Sequence, residues 1–187
     1  MAERIMKYMT LASESSTLSL LVCCSSNYIE LDGNHLASGV PYKGEYINIK
    51  VNYGEPYYAD IILSEPCLSP VVSPKLAFAI KEKDLHYGEM IPIVDGFYKD
   101  YFVLNPLPLL DLVDEKNSTN FFIVTGHKIY STVQLKEYSG SQGFFRITNF
   151  NAFPFVTDDV IRFIKQFDYK GIAFSDDLIN PRFLSTI

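Results

Sequence analysis

The alternation of apolar and polar residues predicts short β-strands over most of the chain. Residues 46–51 (Tyr-Ile-Asn-Ile-Lys-Val) alternate at the period of a half-buried strand. Asp32 and Gly33 form a dipeptide typical of hairpin turns. Segments 120–124 and 128–135 flank a Thr-Gly-His turn and together predict a hairpin. Further segments of β-type composition are 28–31, 57–63, 90–93, 97–104, 144–148 and 172–174.

Two segments instead carry apolar side chains at helical spacing. The first follows Ser73, a residue that caps helices, and places Pro74 at the first helical position. The second follows Thr157, and its first turn carries Asp158 and Asp159, whose charge suits the N-terminal end of a helix dipole. The apolar stripes occupy positions 76, 77, 79 and 80 in the first segment and 160, 161, 163, 164 and 167 in the second.

The two helical segments are similar enough to suggest an internal repeat. Residues 72–76 lie 84 positions before residues 156–160, and four apolar positions of the first helix map onto apolar positions of the second. Each unit consists of a cap, a helix, a short loop and a short strand, although the common grammar of helices could produce the same likeness. The pattern predicts an α+β fold: a mixed, mostly antiparallel sheet with two main helices and a possible helix–strand repeat.

Composition and charge narrow the class of protein. The chain has 187 residues, 48% of them hydrophobic and 20% charged, as expected for one globular domain with a sizeable core. A formal net charge of −6 argues against a nucleic-acid surface, which needs clustered lysine and arginine. No apolar stretch approaches the ~20 residues of a membrane span. We therefore expect neither a nucleic acid nor a membrane as partner.

The cysteines indicate a reducing compartment. Their number is odd and no Cys-x-x-Cys spacing occurs, so we expect neither a disulfide framework nor a structural zinc site. The polar break at 13–17 and the large Val22 before Cys23 argue against a secretory or lipoprotein signal. We therefore predict a cytoplasmic protein with unpaired, mostly buried thiols at Cys23, Cys24 and Cys67.

Few patterns have a clear chemical meaning. His35, His86 and His127 are scattered, each beside a turn signal, which is typical of surface loops. Residues 140–143 lack one residue of a Gly-x-Ser-x-Gly nucleophile elbow and precede a strand rather than a helix. One group of carboxylates could act as acid and base if a cleft held its members together: Asp111, Asp114 and Glu115.

Two aspartate pairs flank the last helix–strand unit. If Asp158-Asp159 and Asp176-Asp177 converged, they would suit a divalent metal or a small hydrolase. As solvated groups, the first pair would instead complete a helix N-terminus and the second would keep a loop in water. We therefore assign no catalytic residue, no cofactor and no metal site.

Five short phrases, in their order and spacing, resemble one bacterial family. They are 72–76 (Val-Ser-Pro-Lys-Leu), 98–105 (Tyr-Lys-Asp-Tyr-Phe-Val-Leu-Asn), 112–118 (Leu-Val-Asp-Glu-Lys-Asn-Ser), 144–147 (Phe-Phe-Arg-Ile), and 156–158 with 170–174 (Val-Thr-Asp and Lys-Gly-Ile-Ala-Phe). The family is that of the immunity proteins of polymorphic toxin systems, formerly a domain of unknown function. The chain is thus interpreted as a single domain over 1–187, with a divergent N-terminal β segment at 1–40 and a family-like core at 70–175.

The resemblance implies a small cytoplasmic protein that binds a cognate toxin, neutralises it by occlusion and carries no catalytic residue. It also suggests a structural pair between Asp114 and Arg146. Because the acidic chain would complement a cationic toxin site, we expect the contact at Asp158, Asp159, Asp176 and Asp177. Two alternatives remain: a small hydrolase that uses the aspartate pairs, and a structural or regulatory interaction module without a toxin.

Overall fold

The computed structural model describes residues 18–23, 29–31, 36, 39–44, 49–51, 59–65, 69–94, 96–124, 127–148, 154–170 and 172–175. The helices within them are α1 (Pro74–Glu82) and α2 (Asp158–Lys165). The strands are β1 (Leu18–Cys23), β2 (Ile29–Leu31), β3 (Ile49–Val51), β4 (Ile61–Glu65), β5 (Pro70–Val72), β6 (Glu89–Pro92), β7 (Phe102–Asn105), β8 (Leu109–Leu110), β9 (Thr119–Val124), β10 (His127–Thr132), β11 (Phe144–Ile147), β12 (Phe155–Thr157) and β13 (Ile172–Ser175).

The strands divide between two sheets and a separate hairpin. The first sheet has the order β3-β2-β4-β5-β7-β6, and the second has the order β13-β1-β12-β11-β8. Each sheet contains one parallel pair, β2 with β4 and β8 with β11, while its other pairs are antiparallel. Strands β9 and β10 form the predicted hairpin. The predicted α+β fold of mixed, mostly antiparallel strands is confirmed, but it is built from two sheets rather than one.

Both helices begin at the caps that the sequence predicts. The Oγ atom of Ser73 accepts a hydrogen bond from the N–H of Leu76 at 3.2 Å, and Pro74 occupies the first helical position. Thr157 has the extended backbone of an N-cap, but its side chain makes no cap bond. Helix α1 buries Leu76, Ala77 and Ile80, and helix α2 buries Val160, Phe163 and Ile164.

The strands around the two helices follow the same order. Helix α1 extends from β5, which lies between β4 and β7, and helix α2 extends from β12, which lies between β11 and β1. The strand after each helix lies one place further along its sheet, as β6 beyond β7 and as β13 beyond β1. Buried Leu76 and Ile80 stand 84 positions before buried Val160 and Ile164. The predicted repeat therefore extends from the helices to the strands that surround them.

One central core joins the two sheets. It contains the buried faces of both helices and residues of both sheets: Ile61, Val72, Leu76, Ala77, Ile80, Leu104, Phe144, Val156, Val160, Phe163, Ile164, Tyr169 and Phe174. A second cluster around Ile62, Val71 and Val103 covers the opposite face of the first sheet. A third cluster around Phe145 and Phe155 does the same for the second sheet. Apolar burial on both faces explains why these strands are rich in branched and aromatic residues.

Some sequence predictions need correction. The segment 97–104 was predicted as one strand, but residues 97–100 form a turn and the strand begins at Phe102. Strand β2 pairs antiparallel with β3 and parallel with β4. The turn predicted at Asp32 and Gly33 lies outside the described residues, as do Cys24 and Cys67. Neither described helix is long and apolar enough to cross a membrane.

Candidate functional site

The two halves of the repeat meet at two junctions, and a carboxylate closes the first. The backbone N–H of Asp60 donates to the carbonyl oxygen of Lys170 at 2.9 Å. The backbone N–H of Ser73 donates to the carbonyl oxygen of Asp60, also at 2.9 Å. The Asp60 carboxylate also accepts from Ser73 Oγ at 2.7 Å and from Lys170 N at 2.9 Å. Lys75 Nζ lies 4.8 Å from the centroid of the Tyr169 ring. We call these five residues the Asp60 junction.

The charges of the Asp60 junction act on a buried phenol. Tyr169 is 2% exposed and belongs to the central core. Burial raises the pKa of Tyr169 above its ordinary value, and the negative charge of Asp60 raises it further. The Lys75 ammonium over the ring adds a favourable cation–π contact. This junction is therefore occupied by its own side chains.

The second junction repeats the backbone bonds without the carboxylate. The N–H of Gly143 donates to the carbonyl oxygens of Leu85 at 3.1 Å and His86 at 3.2 Å, and the N–H of Thr157 donates to that of Gly143 at 3.1 Å. Gly143 lies 83 positions after Asp60, Thr157 lies 84 positions after Ser73, and His86 lies 84 positions before Lys170. We call Gly143, Leu85, His86 and Thr157 the Gly143 junction. Its hydrogen bonds join the two halves through the backbone alone.

Two glycines allow backbone segments to approach each other closely on either side of this region. A Cβ atom on Gly143 would collide with the carbonyl oxygen of Leu85 and would lie 2.9 Å from Val160 Cγ2. Gly88 has φ +89°, and its Cβ would collide with the carbonyl oxygen of Asn105. Because both obstacles are backbone atoms, a rotamer change cannot relieve them. The sequence places glycine where two backbones come into contact.

The loop between α1 and β6, which ends at Gly88, is strained. Asp84 has φ 50° and His86 has φ 43°, both in the left-handed region that side chains with a Cβ rarely adopt. Such positions cost of order 1–3 kcal/mol each and persist only where the surroundings enforce them. At His86 the surroundings are the hydrogen bonds to its carbonyl oxygen from the second half.

A cleft of about 470 Å³ opens beside the Gly143 junction. The side-chain nitrogen of Gln142 bridges its walls, since it donates to the carbonyl oxygens of His86 at 3.2 Å and Leu107 at 3.1 Å. The N–H of Gln142 in turn donates to Tyr138 Oη at 3.0 Å. The residues lining this cleft, which we call the junction cleft, are Asp84, His86, Tyr87, Gly88, Leu107, Pro108 and Gln142.

Two of the predicted contact residues, Asp158 and Asp159, lie at the start of α2, next to the Gly143 junction along the chain. Helix α2 starts directly after Thr157, which is bonded to Gly143, so Asp158 and Asp159 extend the Gly143 junction with exposed carboxylates. Asp159 forms an exposed ion pair with Arg162, which contributes little to stability. The Asp158 side chain makes no hydrogen bond to any residue that the structure describes. Asp176 and Asp177 lie outside the described residues.

The other carboxylates that the sequence singles out also line a cleft. Asp111, Asp114 and Glu115 border a depression of about 530 Å³ together with Lys116 and Lys136. Asp111 is ion-paired with Lys136 at 3.1 Å, and both side chains are exposed. No sequence pattern predicts this cleft.

The environment of Asp114 does not suit a general acid. Its carboxylate accepts hydrogen bonds from Asn117 Nδ2 and from the N–H groups of Lys116 and Asn117. These contacts, the Asn117 side chain foremost, lower the pKa of Asp114 below its ordinary value. A general acid needs the opposite shift. Asp114 therefore stays ionised and stabilises its own turn.

The suggested pair between Asp114 and Arg146 is wrong. The hydrogen bonds of Asp114 stay within its turn or serve the neighbouring hairpin, whereas the Arg146 guanidinium is fully buried and donates to Ser69 Oγ at 2.8 Å. Ser69 directly precedes β5 of the first sheet and Arg146 belongs to β11 of the second. Arg146 therefore connects the two sheets. Its charge made a carboxylate partner plausible, but the turn chemistry of Asp114 is local.

The histidines remain apart. His86 lines the junction cleft, His127 begins β10, and His35 lies outside the described residues. Within the described ranges, no three side chains of histidine, cysteine, aspartate or glutamate come together in a group that could hold a metal ion.

Comparison with known proteins assigns no relative. No protein-family model matches the chain, and no curated protein matches it with significance.

Proposed function

We propose that this chain is an immunity-type protein that binds a cognate bacterial toxin in the cytoplasm and neutralises it by occlusion, without chemistry of its own. The observation that carries the proposal is the acidic start of α2 at the Gly143 junction, where Asp158 and Asp159 are exposed and directly follow Thr157, which is bonded to Gly143. The five phrases that resemble the immunity family support it from the sequence.

The charge of the chain suits a cationic partner. A net charge of −6 attracts a basic toxin surface, and the exposed carboxylates of Asp158 and Asp159 place part of that charge in the first turn of α2. A cleft of about 470 Å³ can receive a side chain of the partner, while the surrounding surface supplies the remaining contact area. Electrostatic complementarity of this kind raises the association rate more than the affinity.

The alternatives receive less support. For a hydrolase, the aspartate pair within the described residues is solvated, with Asp159 already in an ion pair. An interaction module without a toxin would use the same surface. The two binding hypotheses differ in the partner, so the product of a neighbouring gene distinguishes them.

The first experiment is co-expression of the chain with the product of its neighbouring gene, followed by pull-down and a growth assay. We expect a stoichiometric complex and protection of the cells from the toxin. If the neighbouring protein is toxic, and the chain neither captures it nor protects against it, the proposed function is wrong.

The second experiment locates the contact. The double substitution Asp158→Lys and Asp159→Lys should slow association by about tenfold at low salt and flatten its salt dependence. The matched control, Glu82→Lys with Glu137→Lys, reverses the same amount of charge at exposed positions elsewhere. Equal effects of the two double variants would show that net charge matters and that this surface is not the contact. Asp176→Lys with Asp177→Lys extends the test to the second predicted pair.

A further inference from the structure

Strand β1, the first strand that the structure describes, occupies an unusual position. It lies inside the second sheet, between β12 and β13, whereas the next strand, β2, belongs to the first sheet. Strands β12 and β13 do not pair with each other, and β13 pairs with β1 and with no other described strand. The sheet that carries α2 is therefore completed by a segment from the far end of the chain.

The first sheet contains a counterpart of β1 in the same register. Val103 of β7 pairs with Val71 on one side and with Ile91 on the other. Leu20 of β1 pairs with Phe155 on one side and with Ser175 on the other. These two partners stand 84 positions after Val71 and Ile91, which is the offset of the repeat. The next position agrees as well, since Leu104 pairs with Met90 and Leu21 pairs with Phe174.

The order of these strands along the chain differs between the halves. In the first half β7 follows β6 after a connection of residues 93–101, whereas in the second half nothing described follows β13. Because Ser175, the last residue of β13, pairs with Leu20, the end of β13 lies beside the start of β1. The chain thus has the strand order of a duplicated unit whose last strand has been moved to the front.

We infer that β1 is the closing strand of the second repeat and acts as a latch: residues 18–23 hold β13 to β12 and thereby keep the half that carries α2 and the Gly143 junction folded. The inference is independent of the proposed function, because it concerns the strand that completes the second sheet. With β1 out of place, β13 loses its described pairing partner and β12 keeps only β11. The second sheet then retains only the short strands β12, β11 and β8, and Phe174 of β13 leaves the core that contains the buried face of α2, so the surface at α2 depends on the N-terminal segment.

A circular permutant tests the latch with all 187 residues in place. Residue 187 is joined directly to residue 1 and the chain is opened within residues 24–28, so that β1 follows β13 as β7 follows β6. The joined ends supply the 12 residues after Ser175 and the 17 before Leu18, more than enough to connect adjacent strand ends. A control permutant has the same joint but opens between Leu20 and Leu21, inside the latch.

The first permutant should unfold cooperatively with a Tm close to that of the original chain, and amide protons of residues 172–175 should remain protected. The control permutant should lose that protection. Equal stability and equal protection of the two permutants would overturn the inference, because a closing strand cannot tolerate a break at its centre.

If the first permutant does not fold, proteolytic cleavage of the folded protein tests the latch instead. A protease site is inserted within residues 24–28 of the full-length protein and cleaved after folding. Supporting outcomes are retention of the N-terminal fragment, or its release with loss of protection in β12 and β13. Release of the fragment with protection of residues 172–175 intact would refute the latch.

Discussion

Alanine at position 143 tests whether the two halves are locked together through their backbones. The added Cβ would collide with the carbonyl oxygen of Leu85, which itself accepts the N–H of Gly143. It would also approach Val160 Cγ2 to 2.9 Å, inside ordinary van der Waals contact. Helix α2 must then shift away from the loop after α1, and the hydrogen bonds of the Gly143 junction lengthen or break.

The expected cost follows from these contacts. Overpacking of a closely packed site costs about 1–3 kcal/mol, and each hydrogen bond lost from it costs about 1 kcal/mol more. Alanine restricts the unfolded chain and returns roughly 0.4–1 kcal/mol. We therefore expect a net loss of about 2–3 kcal/mol, which for a chain of this size lowers the Tm by roughly 5–10 °C.

The assay is thermal and urea unfolding of Gly143→Ala beside Gly96→Ala. Gly96 has φ +78°, but a Cβ there meets nothing within 4 Å, so this control carries the conformational cost of a left-handed residue without a collision. We expect the control to lose about 1 kcal/mol or less, after the same gain from the unfolded chain. If Gly143→Ala is no less stable than Gly96→Ala, the halves are not in backbone contact at this junction.

Three further predictions concern single groups. Ser73→Ala should cost about 1–2 kcal/mol in urea unfolding, because its hydroxyl caps α1, whereas Thr157→Ala, which removes no cap bond, should cost less. Asn117→Ala should raise the pKa of Asp114 towards its ordinary value in an NMR titration. The lowered pKa of Asp114 stabilises the fold at pH values above the ordinary pKa of aspartate, and this stabilisation is lost as the pH falls through the lowered pKa. The free energy of unfolding of the variant should therefore depend less on pH in the acid range. An unchanged pKa of Asp114 in the variant would contradict the assignment. Titration of the denatured, unreduced protein should find three free thiols, those of Cys23, Cys24 and Cys67. A count of one would show that two of them form a disulfide and would contradict the predicted reduced state.

Local signals explain which elements the sequence predicts well. A capping residue and an apolar stripe, both within about ten residues, predict each helix, and both helices begin where expected. Strands β5 and β12 are only three residues long, and the first begins with Pro70, a residue type more typical of loops than of strands. Proline is compatible with the first position of a strand, which is where Pro70 lies. Such short strands owe their structure to neighbouring strands rather than to their own pattern.

The division into two sheets could not be read from the pattern either. Alternation identifies strands but does not identify their partners, and the partners of β1 lie more than 130 residues away. The repeat offset was visible only in the helices, because strand equivalence depends on register. Once the pairs are known, the same offset of 84 relates β5 to β12 and β6 to β13.

The candidate site divides in the same way. The exposure of Asp158 and Asp159 follows from their position in the first turn of a helix, which the sequence contains. The cleft depends on Gly88 and Gly143, and an isolated glycine in a sequence is equally typical of an ordinary turn. Gln142 lies between Ser141 and Gly143, a composition typical of loops, yet its amide bridges two loops. Contacts between distant backbones leave no local trace beyond the glycine itself.

Comparison of the two junctions favours one of them as a contact surface. At the Asp60 junction the carboxylate is held by two donors and the Lys75 ammonium lies over an aromatic ring, so its charges serve the fold. The position equivalent to Lys75 is Asp159, and that equivalent to Asp60 is Gly143. The second junction therefore lacks the junction carboxylate and carries exposed acid instead: Asp158, and Asp159 in its solvent-exposed ion pair with Arg162. Since the repeat needs only the backbone bonds to hold its halves together, side chains at the Gly143 junction are free of that task. In the proposed complex, a basic side chain of the toxin would face these carboxylates, which favours the acidic face of α2 over the rest of the surface.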